Sequence, residues 1–248
     1  MLLLFDIGNT HTHVGLADGR RVVKQGDIPT YSWMAGGAAG RLKNFIGETP
    51  IDGAALCSVV PRATPLVKNF VWVTWKFEAL ELHAGSIRGV GIDYPKPKSI
   101  GPDRLANAVA ARHRCGAPVV VVDFGTAVTF DVVDARGCYV GGIIAPGLAV
   151  MTNYLHEKTA LLPKIQIRDI RTAIGKSTEE AMLIGAVHGY RGLVRELIGQ
   201  LKRELRAPKL PVVATGGYAK LIAAGLPEIA AVAPDLTLEG LRLVWDAT

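Results

Sequence analysis

The stretch Leu2-Leu3-Leu4-Phe5-Asp6-Ile7-Gly8-Asn9-Thr10 decides the fold, because its pattern occurs a second time in the chain. The apolar run 119–122 leads in the same way into Asp123-Phe124-Gly125-Thr126-Ala127. In each copy a carboxylate follows an apolar strand and precedes glycine and hydroxyl or amide side chains, a turn whose backbone N–H groups can face a phosphate. We therefore predict one nucleotide held between two related halves.

Further strand signals follow each copy of the pattern. Alternation of apolar and polar residues predicts a second strand over 10–16 and over 126–133. Asp6 and Asp123 are 117 residues apart, close to half of the 248-residue chain. We therefore predict an α/β protein with two pseudo-repeated halves, residues 1–117 and residues 118–248.

Helical spacing fills much of the remaining chain. Apolar residues recur at helical intervals over 191–206 and over 102–114, where Pro102 suits the first turn. A third glycine-rich turn, Thr215-Gly216-Gly217, follows the apolar run 210–214, and its paired glycines would let a flat ligand lie close to the backbone. Taken alone, this turn fits a plain strand-to-helix connection equally well.

Composition and charge exclude several classes of protein. With 49% hydrophobic and 20% charged residues, the chain can bury a large core and is not a disordered protein. The net charge is +6, but the basic residues are scattered, so we expect no nucleic-acid partner. The first apolar run is too short for a signal peptide or a membrane span. Three widely spaced cysteines predict no disulfide framework, and we expect a cytoplasmic protein.

Two other patterns have weaker functional interpretations. His11 and His13 alternate along a predicted strand and share one face, where they could chelate a transition metal, but two ligands are too few. Gly175-Lys176-Ser177 resembles the end of a P-loop, but position 170, where that motif needs glycine, is isoleucine. A polar strand face and a surface lysine are the simpler interpretations.

The order of the three turns resembles the actin-like ATPase superfamily, which includes acetate and sugar kinases. Within that superfamily the chain resembles the type III pantothenate kinase family. The motifs that carry this closer resemblance are Asp6-x-Gly8-Asn9-Thr10, Ser58-Val59-Val60-Pro61, Gly101-x-Asp103-Arg104, Asp123-x-Gly125-Thr126-Ala127-x-Thr129-x-Asp131, Gly141-Gly142-x-Ile144-Ala145-Pro146-Gly147 and Thr178-Glu179-Glu180-Ala181. The resemblance implies two ribonuclease H-like halves with the nucleotide site between them.

The resemblance also implies a reaction. The γ-phosphoryl group of ATP would pass to the terminal hydroxyl of pantothenate, giving 4'-phosphopantothenate in the first step of coenzyme A biosynthesis. Asp6 would hold Mg²⁺ through water, and Asp123 would bind a monovalent cation, K⁺ or NH₄⁺; carboxylate oxygens suit both kinds of ion. The nucleotide contacts implied are Asp6, Ile7, Gly8, Asn9, Thr10, His11, Thr12, His13 and Thr126.

On the acceptor side, the resemblance makes Asp103 the group that accepts the proton of the pantothenate hydroxyl. Arg104 would bind the pantothenate carboxylate. Taken alone, this adjacent pair also fits an ordinary ion pair or a helix N-cap. Further substrate contacts implied are Tyr94, Gly101, Pro102 and Thr178, the last reaching across from the second subunit of a homodimer.

Two alternatives stay open at this stage. Another enzyme of the superfamily, such as a sugar kinase or a polyphosphate phosphatase, would share both phosphate turns but lack the motif from Gly101 to Arg104. A non-catalytic regulator is the alternative from a different class, because relatives of the family have been described as accessory factors for transcription. The intact carboxylates of Asp6, Asp103 and Asp123 argue against a regulator.

Overall fold

The computed structural model of the protein describes all 248 residues, and their contacts separate two compact units. Unit 1 comprises Met1–Gly116, Gly137–Val140 and Asp235–Thr248. Unit 2 comprises Ala117–Arg136 and Gly141–Pro234. No helix in either unit combines the length and the apolar character that crossing a membrane requires.

The strands and helices alternate along the chain in an α/β pattern. Those of the first half are β1 (Leu2–Ile7), β2 (His11–Ala17), β3 (Val22–Pro29), α1 (Tyr31–Ala35), α2 (Ala38–Ile46), β4 (Gly53–Ser58), α3 (Thr64–Trp75), β5 (Leu80–Glu81), β6 (Gly91–Ile92) and α4 (Pro102–Cys115). Those that follow are β7 (Val119–Phe124), β8 (Ala127–Val133), β9 (Cys138–Pro146), α5 (Leu148–Lys158), α6 (Thr178–Ile184), α7 (Tyr190–Glu204), β10 (Val212–Thr215), α8 (Ala219–Ala223), β11 (Ala231–Val232) and α9 (Leu236–Asp246). A single 3₁₀ turn covers Pro97–Ser99, and a π-helical turn covers Gly185–Gly189 just before α7.

The sheet of unit 1 has the strand order β3-β2-β1-β4-β5. β1 runs antiparallel to β2 and parallel to β4, and β2 runs antiparallel to β3. All of β1 is buried except Asp6, which is partly exposed near the end of the strand. The apolar side chains of β1 therefore anchor the strand in the core, while its carboxylate lies at the edge where a ligand can reach it.

The sheet of unit 2 has the order β11-β10-β7-β8-β9. β7 runs antiparallel to β8 and parallel to β10. The first residues of β9, up to Val140, belong to unit 1, where Ile92 of β6 pairs with Tyr139. Asp123 is again a partly exposed carboxylate near the end of a buried strand.

The predicted repeat is present strand for strand. β1 and β7 each have six residues and share the same burial pattern, four buried residues, a partly buried aspartate and a final buried residue. In each unit an antiparallel hairpin and a parallel neighbour flank this strand. The predicted helices over 102–114 and 191–206 are also present, as α4 and α7.

The units differ from the predicted halves at the end of the chain. The first segment of unit 1 ends at Gly116, next to the predicted boundary, but α9 packs with α4 in unit 1. The two helices approach so closely that a Cβ added to Gly240 would lie 2.0 Å from the carbonyl oxygen of Ala106. The repeat places residues 235–248 in the second half of the sequence, whereas burial of the apolar face of α9 places them in unit 1.

Candidate functional site

The turn after β1 is a tight reversal closed by a backbone hydrogen bond. The backbone N–H of Gly8 donates to the carbonyl of His11 at 3.0 Å, and a Cβ on Gly8 would lie only 3.0 Å from that same oxygen. Asn9 and Thr10 are exposed at the tip of the turn. The glycine therefore allows a tight reversal that leaves polar side chains open to a ligand.

Thr30, which stands in none of the sequence motifs, follows β3 directly and hydrogen-bonds to this turn. Its backbone N–H donates to the carbonyl of Thr10 at 3.0 Å, and its hydroxyl donates to the carbonyl of Gly8 at 2.7 Å. Thr12 is fully buried, and its hydroxyl contacts Thr30 and the indole N–H of Trp33, each at 3.1 Å. The side chains of Ile7 and Thr12 therefore belong to the core, and any nucleotide contact of theirs would involve the backbone.

Asp6 lies in a row of polar side chains on one face of the unit 1 sheet. Cys57 of β4 and His13 of β2 are its direct partners in the strand registers, and Asp27 of β3 is the direct partner of His13. Direct partners on neighbouring strands point to the same side of a sheet. The row therefore continues across four strands in the order Cys57, Asp6, His13 and Asp27.

Burial raises the pKa of Asp6 from 3.8 to about 6. The charge of His13 acts against this shift, the negative charge of Asp103 adds to it, and a hydrogen bond from the Cys57 thiol lowers the pKa again. Asp103 is thus close enough to Asp6 for the two carboxylates to repel each other. Two neighbouring carboxylates in a partly buried site form an arrangement that a divalent cation would stabilise.

Asp103 lies in the first turn of α4, where Pro102 occupies the start of the helix as predicted. Its Oδ1 accepts a hydrogen bond from the backbone N–H of Arg104 at 2.9 Å. Burial raises the pKa of Asp103, while the Arg104 N–H and guanidinium act in the opposite direction. A Cβ on Gly101 would lie 2.5 Å from Oδ1 of Asp103. Any larger residue at position 101 would therefore displace this carboxylate.

Tyr139 connects two of the predicted substrate-binding residues and was missed by the sequence analysis. The guanidinium of Arg104 lies 5.8 Å from the centre of the Tyr139 ring, within reach of a cation–π contact. The rings of Tyr139 and Tyr94 pack edge to face with their centres 6.2 Å apart. Tyr139 is buried, whereas Tyr94 is exposed. The buried Tyr139 ring thus contacts both Arg104 and Tyr94 in unit 1.

In unit 2, the turn after β7 is tightly enclosed by glycines. The backbone N–H of Gly125 donates to the carbonyl of Ala127, and that of Gly147 donates to the carbonyl of Thr126, both at 3.1 Å. A Cβ on Gly216, which has a positive φ of 91°, would lie 2.5 Å from Oδ1 of Asp123. The late glycine turn of the sequence is therefore packed directly against the second carboxylate turn.

Thr178 begins α6 and is exposed. The preceding Ser177 caps this helix by accepting a hydrogen bond from the N–H of Glu180 at 3.2 Å, while the Glu180 carboxylate accepts from the N–H of Lys176 at 2.6 Å. The segment that resembles a P-loop is therefore a helix-capping turn, and no strand precedes it.

The transition-metal hypothesis for His11 and His13 gains no support. The two rings lie with their centres 6.3 Å apart, and no group of three or more histidine, cysteine or acidic side chains is arranged to hold a metal ion. Magnesium does not require such a cluster, because it commonly binds one or two carboxylates, water and substrate phosphates. The carboxylate of Asp6 fits that second pattern.

Comparison with known proteins decides the family. The sequence profile described as type III pantothenate kinase matches residues 2–200. The chain belongs to the type III pantothenate kinase family. A type III pantothenate kinase from Akkermansia muciniphila is 47% identical over 241 residues, covering 97% of this chain and 96% of the relative. One from Methylacidiphilum infernorum is 43% identical and covers 99% of this chain and 88% of the relative.

As a pantothenate kinase, the chain is an ATP-dependent phosphotransferase that phosphorylates pantothenate, the reaction that begins coenzyme A biosynthesis. The predictions of family, enzyme class and reaction are thereby confirmed.

Solved structures confirm the predicted fold class. A Campylobacter jejuni protein described as a Baf family transcriptional activator is similar with a TM-score of 0.62 at 19% identity, covering 99% of this chain and 98% of that one. Component A of the (R)-2-hydroxyglutaryl-CoA dehydratase of Acidaminococcus fermentans is similar with a TM-score of 0.51 at 14% identity, covering 100% and 96%. At these identities the likeness concerns the actin-like α/β fold alone.

Proposed function

We propose that Asp103 is the proton acceptor of the pantothenate kinase reaction. The observation that carries this proposal is its position: Gly101 leaves room for the carboxylate, the N–H of Arg104 orients it, and the Asp6 carboxylate lies nearby. Burial raises the pKa of Asp103, which makes the ionised carboxylate a stronger base toward an alcohol. Its negative charge would also help to orient the pantothenate hydroxyl toward the γ-phosphoryl group.

We propose that Arg104 binds the carboxylate of pantothenate and that Tyr94 lines the pocket. A guanidinium group can bind a carboxylate through two parallel hydrogen bonds. Stacking on the buried Tyr139 ring limits the rotamers of Arg104, so that less conformational entropy is lost on binding. Gly101 and Pro102 contribute the backbone at the start of α4.

For ATP, the proposal assigns the turn of Asp6 to His13 in unit 1 and Thr126 in unit 2 to the phosphates. The residues present fit magnesium, because Asp6 and Asp103 supply neighbouring carboxylates whose repulsion the cation would relieve. Asp6 would hold the ion through water. When bound, magnesium neutralises charge on the transferred phosphoryl group.

Asp123 is the proposed contact for a monovalent cation, K⁺ or NH₄⁺. The turn offers the oxygen ligands that such an ion needs, because it brings a carboxylate together with backbone carbonyls near Gly125 and Thr126. The prediction of a cytoplasmic enzyme also stays a proposal. It rests on the three widely spaced cysteines of the sequence, which predict no disulfide framework.

The proposed homodimer is supported by an apolar surface on α5. Val150, Met151, Tyr154 and Leu155 are all exposed on this helix, at a spacing that places them on one side of it. Exposed apolar patches of this kind usually mark an interface. We propose that two copies meet at α5 and that Thr178 of one contributes to the pantothenate site of the other.

The test of the dimer is the mass in solution. Met151→Glu combined with Leu155→Glu places two charges in the proposed interface and is expected to give a monomer by light scattering, with pantothenate turnover lost. Val23→Glu, at an exposed apolar residue of β3, serves as the matched control and is expected to keep the dimer. A wild-type protein that is monomeric at micromolar concentration would refute the assignment.

The test of the base is Asp103→Asn. The amide keeps the shape of the side chain but cannot accept a proton as a carboxylate does, so kcat should fall by about 10²–10⁴-fold. Calorimetry should show that ADP affinity stays within about twofold of wild type. Asp52→Asn, at an exposed carboxylate, is the matched control with unchanged turnover. Turnover near the wild-type rate in Asp103→Asn would exclude Asp103 as the base.

A further inference from the structure

The histidine and aspartate at the far end of the polar row form a direct pair. Nδ1 of His13 lies 2.5 Å from Oδ1 of Asp27. An ionised carboxylate only accepts hydrogen bonds, so the ring donates from Nδ1. Nε2, the second hydrogen-bonding atom of an imidazole, lies on the opposite edge of the ring from Asp27. The hydrogen bond to Asp27 thus orients the His13 ring so that Nε2 points away from Asp27.

The strand registers place this pair beside the phosphate turn. His13 is the direct cross-strand partner of Asp6, and Asp27 is the direct partner of His13. The Cβ atoms of such partners are about 4.5–5.5 Å apart and point to the same face. His13 is thus held next to the Asp6 carboxylate near the end of β1, only three residues after the turn over Gly8 to Thr10.

The pair is not needed to hold the fold. The side chains of His13 and Asp27 are 50% and 60% exposed, and exposed ion pairs of this kind add little to stability. The sheet is anchored instead by the buried residues that alternate with them, such as Val14 and Ile28. An exposed imidazole oriented by a carboxylate beside a phosphate turn has the arrangement of a ligand-binding group.

Charge at this edge of unit 1 favours the same interpretation. Asp6, Asp103 and Asp27 are all acidic, and ATP brings further negative charge to the turn. Burial raises the pKa of Asp6, and the charge of His13 is the largest of the effects that lower it. An imidazole in the middle of the row offsets carboxylate repulsion where an anionic ligand has to bind.

We propose that Asp27 is a positioning residue that holds the His13 imidazole beside Asp6, where the positively charged ring donates a hydrogen bond from Nε2 to a phosphate oxygen of ATP. This inference rests on the proposed nucleotide role of the turn from Asp6 to His13, and it adds Asp27 to the site. The pair contributes to affinity for the phosphates and not to that for the adenosine or the pantothenate.

The test compares His13→Phe, Asp27→Asn and the double variant with wild type. The matched control is His113→Phe, the same change at an exposed histidine of α4. Calorimetry measures the affinity for AMP and for a non-hydrolysable ATP analogue, and kinetics measure KM for ATP and for pantothenate. These readouts separate a phosphate contact from a general structural effect, which would change both nucleotides alike.

In His13→Phe the ATP analogue should bind about tenfold more weakly, the loss expected for one hydrogen bond to a charged group. AMP affinity and KM for pantothenate should stay within twofold. Asp27→Asn should weaken the analogue in the same direction, and the double variant should match His13→Phe, because Asp27 acts through the imidazole.

Three results would overturn the proposal: equal weakening of AMP and the analogue, a double variant whose loss is the product of the single losses, or single variants that bind like wild type. The binding arm is independent of turnover. If wild-type protein bound the analogue but did not phosphorylate pantothenate, the assignment of the acceptor site would fail while the His13 and Asp27 pair would still be tested.

Discussion

The thiol of Cys57 donates a hydrogen bond to Oδ1 of Asp6 across 3.5 Å, between paired residues of parallel strands. Cys57 is fully buried, and burial raises the pKa of its thiol well above the usual range, so it stays a neutral donor. This hydrogen bond stabilises the ionised form of Asp6 and so lowers its pKa, whereas burial raises it. Cys57 thus supports the carboxylate that we assign to magnesium.

Removing this donor should change the pH dependence of the kinase. In Cys57→Ala the pKa of Asp6 should rise above about 6, and the acidic limb of the kcat/KM profile should move to higher pH by about half a unit to one unit. Cys57→Ser keeps a hydroxyl donor and should stay close to wild type. Superimposable profiles for the alanine and serine variants would show that the thiol has no part in ionising Asp6.

Gly101→Ala should impair catalysis with little loss of stability. The added Cβ would lie 2.5 Å from Oδ1 of Asp103, so the carboxylate has to move. A misplaced catalytic group can reduce kcat by about 10²-fold. The control is Gly40→Ala in α2, where a Cβ meets no atom within 4 Å and should be neutral or slightly stabilising. Wild-type kcat in folded Gly101→Ala would contradict the assigned position of Asp103.

Asp6→Asn should make the metal-free protein more stable at high pH. The pKa of Asp6 is raised in the folded state, so its ionisation costs stability as the pH rises from 3.8 through about 6. The amide avoids this cost and should raise the free energy of unfolding by about 1–3 kcal/mol at pH 8, with little change at pH 3.5. Urea denaturation in a metal chelator measures both values.

Activity should be lost in the same variant, because the amide cannot replace the carboxylate beside the phosphates. A gain in stability with a loss of function is typical of active-site residues. Equal free energies of unfolding for Asp6→Asn and wild type at pH 8 would show that ionisation of Asp6 does not destabilise the folded protein.

Gly216→Ala and Gly217→Ala should differ sharply although they are adjacent. Gly216 has a φ of +91°, and its Cβ would meet Asp123 and the backbone of Phe124 at 2.5–2.7 Å, whereas a Cβ on Gly217 meets nothing within 4 Å. Strain and overpacking should destabilise Gly216→Ala by about 1–3 kcal/mol. The stimulation of turnover by K⁺ should be weaker in Gly216→Ala than in wild type, because Asp123 is displaced. Similar thermal stability in the two variants would contradict the packing of this turn against Asp123.

The sequence predicts the parts of the fold that local pattern encodes. The repeated strand and carboxylate, the helix from Pro102 and the long helix α7 all follow from periodicity and capping residues. It does not predict that α9 joins unit 1, because that choice depends on the fit of Gly240 against Ala106 across a long stretch of chain. Tertiary packing decides such cases.

The same limit applies to the candidate site. Asp6, Asp103 and Asp123 stand in recognisable motifs, but Tyr139 and Thr30 carry no local signal. Tyr139 matters because strand pairing brings it against Arg104 and Tyr94, and Thr30 matters because it hydrogen-bonds to the turn over Gly8 to Thr10. Asp27 becomes visible only when the register of β2 and β3 sets it opposite His13. Contacts between distant segments are information that one sequence does not display.

The measurement that tests the central claim most directly is the phosphorylation of pantothenate by the purified protein with ATP and Mg²⁺, with the product identified by mass. The assay is run in K⁺ and in Na⁺ alone, beside Asp103→Asn and with a hexose as competing acceptor. The account predicts 4'-phosphopantothenate from the wild-type protein, more turnover in K⁺, and loss of product in Asp103→Asn. Transfer to the hexose in preference to pantothenate, or undiminished product from Asp103→Asn, would contradict it.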